Sequence, residues 1–264
     1  MLRLPLLIAV VLISAVFIGC ANEGTAQKEV LQKRQNQLSG IALSEPLTQD
    51  AALMNECDDQ TAATILNDAV EHEASKAAKL WRACQTLYAC SSTTKNLIAE
   101  MFASNETFKV GFADLKKLDV SSIGAQVQAL YLGGTSHVYL DVSMNSNAVA
   151  CPLLLHELVH RFDPEAMKGE ESLRSEYRAY WHQYAFMQEL FLNPNKLGRM
   201  VSAPDLDSAS GSQANARMIV PVITREIILN EIARIYKFKL DLSLLELYPA
   251  LPLESFVAKP IVSE

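Results

Sequence analysis

The stretch Ala148-Val-Ala-Cys-Pro-Leu-Leu-Leu-His-Glu-Leu-Val-His-Arg-Phe162 places two histidines and a glutamate in an otherwise apolar run. Residues four apart lie one turn above each other on one face of an α-helix, so His156 and His160 can direct ring nitrogens at one point. Glu157 is next to His156. Burying these polar groups among leucines is costly unless something satisfies them, and a metal ion would do so. The stretch therefore predicts a buried helix that carries a metal site.

The sequence also indicates where this helix begins and ends. Asn147 is a suitable N-cap, and Pro152 fits the first turn, where a missing N–H costs nothing. Pro164 is expected to stop the helix. The alternative to a metal is that both histidines are hydrogen-bonded in the core and that Glu157 pairs with an arginine such as Arg161.

Zinc in proteins usually has three side-chain ligands, with a fourth position left for water. The third ligand is expected from the next helical segment, about 170 to 192, which a connection of about seven residues allows to return antiparallel. One face of that segment carries Glu176, Ala179, Tyr180, Gln183 and Met187. Glu176 is the expected ligand, because the small Ala179 lets the helices approach closely. The competing candidates are Glu170, Glu171 and His182, of which the histidine lies well off this face.

This pattern resembles that of the zincin metallopeptidases, and within them the gluzincin group, in which His-Glu-x-x-His lies on one helix and a glutamate ligand on the next. The resemblance covers roughly residues 130 to 190. It implies that His156, His160 and Glu176 bind Zn²⁺ and that Glu157 takes a proton from the attacking water and passes it to the leaving amine. Possible donors to the oxyanion are Tyr180, Tyr236 and His137.

Two related subgroups do not fit. The metzincin pattern continues with glycine and histidine where this chain has Asp163 and Ala166. The aspzincin pattern needs an aspartate ligand in its own motif, which the sequence lacks. Asp163 could instead accept a hydrogen bond from the second ring nitrogen of a histidine ligand, or it could be a surface residue that closes the helix.

Upstream of the helix, residues 135–143 predict a half-buried strand after a Gly133-Gly134 turn signal. Its expected inward positions are Val138, Leu140 and Val142, and its expected outward positions are His137, Tyr139 and Asp141. In zincins the strand before the motif helix forms the edge of the cleft, and an extended peptide pairs with it. An ordinary sheet strand is equally compatible with the alternation.

The remaining sequence predicts one mostly helical α+β domain, zincin-like, over residues 57–264, with its small sheet within 109–143. Half of the residues are hydrophobic, so about 245 mature residues can bury one sizeable core. Helical patterning extends over 61–108 and again over 221–238. Residues 202–213 read as a loop, and the tail after residue 248 reads as irregular.

The N-terminus resembles a bacterial lipoprotein signal. Arg3 precedes an apolar run that is too short for a comfortable membrane span, and Phe17-Ile-Gly-Cys20 resembles a lipobox. The resemblance implies cleavage after residue 19, a lipid on Cys20 and delivery to the cell envelope, with the outer membrane favoured by Ala21. An ordinary secretory signal or an uncleaved anchor is the alternative. Residues 20–56 would then be a lipidated tether followed by a helix.

The net charge indicates which class of partner to expect, and the cysteine content indicates disulfide bonds. Removing Arg3 with the signal changes the net charge from −7 to −8, and the chain has no basic cluster, which argues against nucleic acid. Four further cysteines in an exported protein suggest two disulfides, with three possible pairings among Cys57, Cys84, Cys90 and Cys151. A bridge at Cys151 would attach the metal helix to the N-terminal layer.

Together these features predict a zinc-dependent hydrolase of peptides or envelope proteins, held to the membrane by its lipid. A non-catalytic envelope lipoprotein that keeps the fold, and a zinc hydrolase with non-peptide substrates, are the alternatives. The oligomeric state and the natural substrate are not indicated by the sequence.

Overall fold

A computed structural model describes residues 23–55, 59–103, 105–118, 127–163, 173–192 and 225–236. Within these ranges the helices are α1 (Glu23–Leu38), α2 (Asp59–Asn67), α3 (Ala77–Ala89), α4 (Ser92–Phe102), α5 (Asn147–Phe162), α6 (Leu173–Met187) and α7 (Arg225–Tyr236). A π-helical turn, Gln188–Leu192, follows α6 directly. The strands are β1 (Lys109–Ala113), β2 (Ala129–Tyr131) and β3 (His137–Asp141). The prediction of a mostly helical α+β chain with a small sheet is confirmed.

The sheet has the order β1-β3-β2, with β1 parallel and β2 antiparallel to β3. Gly134 adopts a positive φ of 74° in the connection from β2 to β3, a conformation that glycine accepts without a steric penalty. Gly111 of β1 lies opposite Tyr139, and a Cβ at Gly111 would meet the tyrosine ring at 3.0 Å. Glycine at this position therefore allows an aromatic ring to cover the strand.

The strand predicted before the motif helix is present as β3, and it is the ordinary sheet strand that the alternation also allowed, not an edge that pairs with a peptide. The prediction that it is half-buried was wrong. β3 is the central strand and pairs on both sides, so no peptide can be added to it. The alternation itself is present, but both faces are covered: Val138 and Leu140 pack in one apolar cluster and Tyr139 in the other. Asp141 is buried because its carboxylate accepts the backbone N–H of Leu115.

Val142, expected to point inward, lies beyond the end of β3 and is 42 % exposed. The two apolar clusters on the faces of the sheet position the helices. One cluster contains α3, α5 and part of α6, and the other contains α7 and the tyrosines of α6. Helix α6 contributes to both, which holds it beside α5.

Helix α5 is central to the fold and almost entirely buried from residue 150 to residue 160. It packs on α3, whose buried residues Leu80, Trp81, Cys84, Leu87 and Tyr88 follow the helical repeat. A disulfide joins Cys84 to Cys151, so the bridge to the N-terminal layer that the sequence allowed is formed. Cys90 is also disulfide-bonded. Cys57 lies outside the described residues.

The predicted start of α5 needs correction. The N-cap is Ser146, not Asn147, because the backbone N–H of Asn147 donates to Asp68 and its amide donates to Ile65, which fixes Asn147 within the helix. Pro152 is consequently the sixth helical residue, beyond the first turn. The carbonyl that loses its helical donor there belongs to Ala148, which is partly exposed and can be solvated.

Other predicted segments are found close to their expected positions. The patterning over 61–108 corresponds to α2, α3 and α4, and that over 221–238 to α7, where Ile228 and Ile232 are buried. At the N-terminus helix α1 begins at Glu23, and the chain after it pairs with β1 through bridges at Leu43 and Leu47. Cys20, residues 202–213 and the tail after residue 248 lie outside the described residues. In the part of the chain that is described, no helix has both the length and the apolar character needed to cross a membrane.

Candidate metal centre

Helices α5 and α6 bring His156, His160 and Glu176 together in the core. The two imidazole Nε2 atoms are 3.1 Å apart. Glu176 lies across from them, with Oε1 3.4 Å from Nε2 of His160 and Oε2 3.7 Å from Nε2 of His156. Among the described residues these three form a group whose ligand atoms lie within 4.8 Å of one another. The arrangement could hold a metal ion.

The spacing of these atoms suits a small tetrahedral ion. For bonds of about 2.0–2.1 Å, as in zinc sites with nitrogen and oxygen ligands, neighbouring ligand atoms are about 3.3–3.4 Å apart. The distance between the two nitrogens is 3.1 Å, and each nitrogen lies 3.4 or 3.7 Å from a different oxygen of Glu176. Binding one ion through a single carboxylate oxygen would require that oxygen to lie close to both nitrogens.

The outer hydrogen bonds of the histidines leave the Nε2 atoms available as ligands. Nδ1–H of His156 donates to Oε1 of Gln183 at 2.9 Å, because an amide oxygen can only accept. Nδ1 of His160 lies 3.2 Å from Oγ of Ser175, a hydroxyl that can accept a hydrogen bond from Nδ1–H or donate one to an unprotonated Nδ1. When both protons reside on Nδ1, both Nε2 atoms are acceptors, and they face a carboxylate.

Glu176 is a buried carboxylate that faces the two imidazoles. Neither of its oxygens has a hydrogen-bond partner among the described residues, although the side chain is 3 % exposed. Burying such a group without partners is costly. When both imidazole protons are on Nδ1, the two Nε2 atoms and the carboxylate are acceptors with no donor between them, and a cation placed among them would stabilise all three. This is the observation that fits a metal to these residues.

Glu157 lies beside this group on α5. Its Oε2 accepts the backbone N–H of Tyr131, in strand β2, at 2.6 Å. Its Oε1 is buried and has no hydrogen-bond partner among the described residues. One oxygen is thus fixed by the sheet, and the other remains able to accept a proton.

Burial and charge set the protonation of the site. Burial would raise the pKa of Glu176, but the imidazoles of His160 and His156 outweigh it and lower the pKa to about 2. Burial raises the pKa of Glu157, and the two histidines offset only part of that effect. Burial opposes protonation of His160, but the carboxylates around it, above all Glu176, raise its pKa. Glu176 is therefore ionised, as a metal ligand must be.

Two expectations about neighbouring charged residues need correction. Asp163 closes α5, which was one of the two roles expected of it, but it is a buried C-cap and not a surface residue, 3.1 Å from the guanidinium of Arg178. Ser175, and not Asp163, lies beside Nδ1 of His160. Arg161 pairs with Glu106 at 2.9 Å, while Glu157 is held by a backbone N–H.

The competing ligands and oxyanion donors are placed as follows. His182 lies outside the converging group: its ring packs on Trp181, and burial together with Arg178 lowers its pKa to about 4. Glu170 and Glu171 lie outside the described residues. The ring of Tyr180 meets that of His156 edge-on at 4.6 Å, whereas His137 lies at the start of β3 beside Tyr139. Of the side chain of Tyr236 the structure describes nothing.

The site is closed in this structure. His156 and Glu157 are 0 % exposed, Glu176 is 3 % and His160 is 6 % exposed. Water-excluded surroundings strengthen electrostatic interactions in the site, but a peptide has to gain access before it can react.

Sequence reasoning did not identify the two residues that contact the Nδ1 atoms of His156 and His160. Gln183 was recognised on the ligand-bearing face of its helix, two turns after Glu176, and that spacing was the available signal for its contact with α5. Ser175 gave no signal beyond being next to Glu176, because a serine near the start of a helix has many ordinary roles. The bond from Tyr131 to Glu157 involves only a backbone N–H and leaves no trace in the sequence.

Comparison of the chain with protein-family models, with curated proteins and with solved structures gives no match.

Proposed function

We propose that this chain is a zinc-dependent hydrolase of peptide bonds with a zincin-like site. The observation that carries the proposal is the convergence of His156, His160 and Glu176, with Glu157 beside them. Two neutral imidazoles and one carboxylate are the ligand set of many catalytic zinc sites, and three protein ligands leave a position for water. A purely structural zinc site would more typically have four protein ligands.

In this proposal each side chain has a distinct role. His156, His160 and Glu176 hold the ion. When bound, zinc lowers the pKa of a water molecule and polarises the carbonyl to be attacked. Oε1 of Glu157 accepts the proton of the attacking water, and the carboxyl group then passes it to the leaving amine. The raised pKa of Glu157 favours the first transfer, because a more basic carboxylate takes the proton of the water more readily.

Strand β2 brings the sheet into contact with the candidate site. Leu132 and Gln128 hydrogen-bond to β3, so the backbone groups of Ala129 and Tyr131 face away from the sheet. The N–H of Tyr131 already points at Glu157. The outer edge of β2 therefore fixes the side chain that would move the proton.

The location of the protein is part of the proposal. A lipid on Cys20 would tether the domain in a bacterial envelope, facing the periplasm or the surface, with peptides or envelope proteins as substrates. The Cys84–Cys151 disulfide supports an oxidising compartment, because such bonds persist outside the cytosol. A net charge of −7 and the lack of a basic cluster in the sequence favour protein over nucleic acid as the partner.

The second candidate function is a non-catalytic lipoprotein that keeps the metal for stability or binding. The near-complete burial of the four polar side chains favours it, since a structural ion needs no access for substrate. The two candidates make opposite predictions for Glu157, which is not a ligand in either.

The test compares Glu157→Gln with wild type. For the enzyme, the substitution should lower the rate constant for peptide cleavage by about 10²–10⁴-fold, because the proton acceptor is lost, while zinc stays near one ion per chain. Zinc content is measured by elemental analysis, and cleavage in a proteomic screen with a chelated control. Glu100→Gln, at an exposed position of α4, is the matched control. Unchanged cleavage in Glu157→Gln, or zinc without cleavage in wild type, would favour the non-catalytic lipoprotein.

A further inference from the structure

Helix α6 contacts both ring nitrogens of each of the two histidines of α5. Glu176 faces the Nε2 atoms, while Gln183 and Ser175 contact the two Nδ1 atoms at 2.9 and 3.2 Å. Gln183 is 3 % exposed and Ser175 is 1 % exposed, so water does not compete freely for these bonds. One helix thus supplies a ligand and both outer partners.

We propose that Gln183 and Ser175 are positioning residues that orient both histidines with Nε2 directed at the metal, and that Gln183 also keeps the proton of His156 on Nδ1. This inference depends on the proposed metal site. A neutral imidazole has two tautomers, and only the Nδ1–H form can bind a metal through Nε2. Gln183 selects that form for His156, because its amide oxygen accepts a proton from Nδ1 and cannot donate one.

The chemistry of these partners has a consequence for affinity. Outer partners of zinc-bound histidines are often carboxylates, which make the imidazole a stronger base. Here both partners are neutral, and the buried site already contains the carboxylates of Glu157 and Glu176. A third buried carboxylate would add to their mutual repulsion when no ion is bound. The amide and hydroxyl therefore orient the ligands at the cost of some metal affinity.

A second buried glutamine provides a control that separates an effect on a metal ligand from a general effect on the stability of the core. Gln85 of α3 is 1 % exposed and accepts the backbone N–H of Asp50 at 2.7 Å. It matches Gln183 in burial and in the kind of bond, but its partner is not a metal ligand. Replacing either glutamine by methionine removes a buried acceptor while nearly preserving side-chain length.

The experiment measures Zn²⁺ affinity of the full chain by competition with a chromophoric chelator. We expect Gln183→Met to weaken Zn²⁺ binding by about 10–100-fold and Ser175→Ala to weaken it less, because its contact is longer. Gln85→Met should bind zinc as wild type does. Gln183→Glu should equal or exceed the wild-type affinity, since a carboxylate accepts from Nδ1–H and strengthens the ligand.

A second readout reports the histidine itself. In the zinc-loaded chain the hydrogen-bonded Nδ1–H proton of His156 should give a downfield NMR resonance, which Gln183→Met should shift or remove and Gln85→Met should leave in place. If Gln183→Met fails to fold, Gln183→Glu still tests the proposal. A Gln183→Glu chain that bound zinc more weakly than wild type would contradict the role of residue 183 as the acceptor for Nδ1–H of His156. Wild-type zinc affinity in Gln183→Met would overturn this inference alone. A wild-type chain that binds no zinc would overturn the proposed function as well.

Discussion

The two halves of helix α5 are held in different ways. The first half is attached to α3 by the Cys84–Cys151 disulfide and by a hydrogen bond from the hydroxyl of Tyr88 to the carbonyl of Cys151, amid leucines. The second half, from His156 onward, contacts α6 through polar side chains. The first half is complete without a ligand, whereas the second gathers acceptors that a cation would stabilise. The proposed ion would therefore stabilise one half of a helix whose other half is already stabilised by the fold.

The largest expected effect on stability concerns the first half. Replacing both Cys84 and Cys151 by alanine opens a loop of 67 residues, and the loss of loop-closure entropy should cost about 4 kcal/mol of unfolding free energy. Urea unfolding measures this cost. Because the disulfide and the metal act on different halves, the loss should be equal with and without zinc. A cost that changes by several kcal/mol on adding zinc would show that the halves are not independent.

The next largest effect is the stabilisation of the second half of α5 by zinc. Zinc at 100 times its dissociation constant should stabilise the wild-type chain by about 2.7 kcal/mol, because it binds only the folded state. Glu176→Gln keeps the shape of the side chain but removes the charged ligand, so the zinc-dependent stabilisation should largely disappear. Thermal unfolding with and without a chelator measures both. Glu106→Gln, which alters the pair with Arg161, is the matched control. Full zinc affinity in Glu176→Gln would disprove the third-ligand assignment.

The comparison also explains which features the sequence could predict. The spacing of His156 and His160 predicts a shared helical face from local geometry alone, and the apolar run around them predicts burial. Glu176 followed from the need for a third ligand and from Ala179, which is fully buried between the helices. These are local patterns that tertiary contacts did not override.

The predictions that failed concern residues whose structure depends on contacts with distant parts of the sequence. The central position of β3 requires β1, and the sequence carries no signal for which strands flank it. The N-cap is Ser146 and not Asn147, because the carbonyl groups of Ile65 in α2 and of Asp68 just after α2 accept hydrogen bonds from Asn147. Asp163 is buried because Arg178 lies across from it on α6. Each of these depends on a partner whose proximity only the folded chain shows.

A smaller effect tests the charge arrangement around α6. His182 differs from the ligand histidines: its Nδ1 is buried without a partner among the described residues, and burial and Arg178 lower its pKa to about 4 from 6.5. The folded chain resists protonation of His182 where the unfolded chain accepts it. Stability is therefore complete above pH 6.5 and is lost as the pH falls toward 4, by about 2 kcal/mol after allowance for partial exposure.

His182→Asn should remove that part of the pH dependence, measured as the difference between wild type and variant in unfolding free energy at pH 7 and pH 4.5. The variant retains the Asp163–Arg178 pair at the end of α5. The histidines of the metal site contribute to both chains and cancel in the difference. Parallel stability curves for the two chains would show that His182 does not resist protonation.

The smallest expected effect returns to the first half of α5. Tyr88→Phe removes only the hydroxyl that donates to Cys151 at 2.7 Å, at a position that is 0 % exposed. The net loss of one such bond should lower the unfolding free energy by about 1 kcal/mol. Zinc affinity should not change, because the phenyl ring still packs against Phe186 and the disulfide still holds the helix. A several-fold loss of zinc affinity in Tyr88→Phe would mean that strain at Cys151 reaches His156 one turn later, and that the two halves of α5 act as one unit.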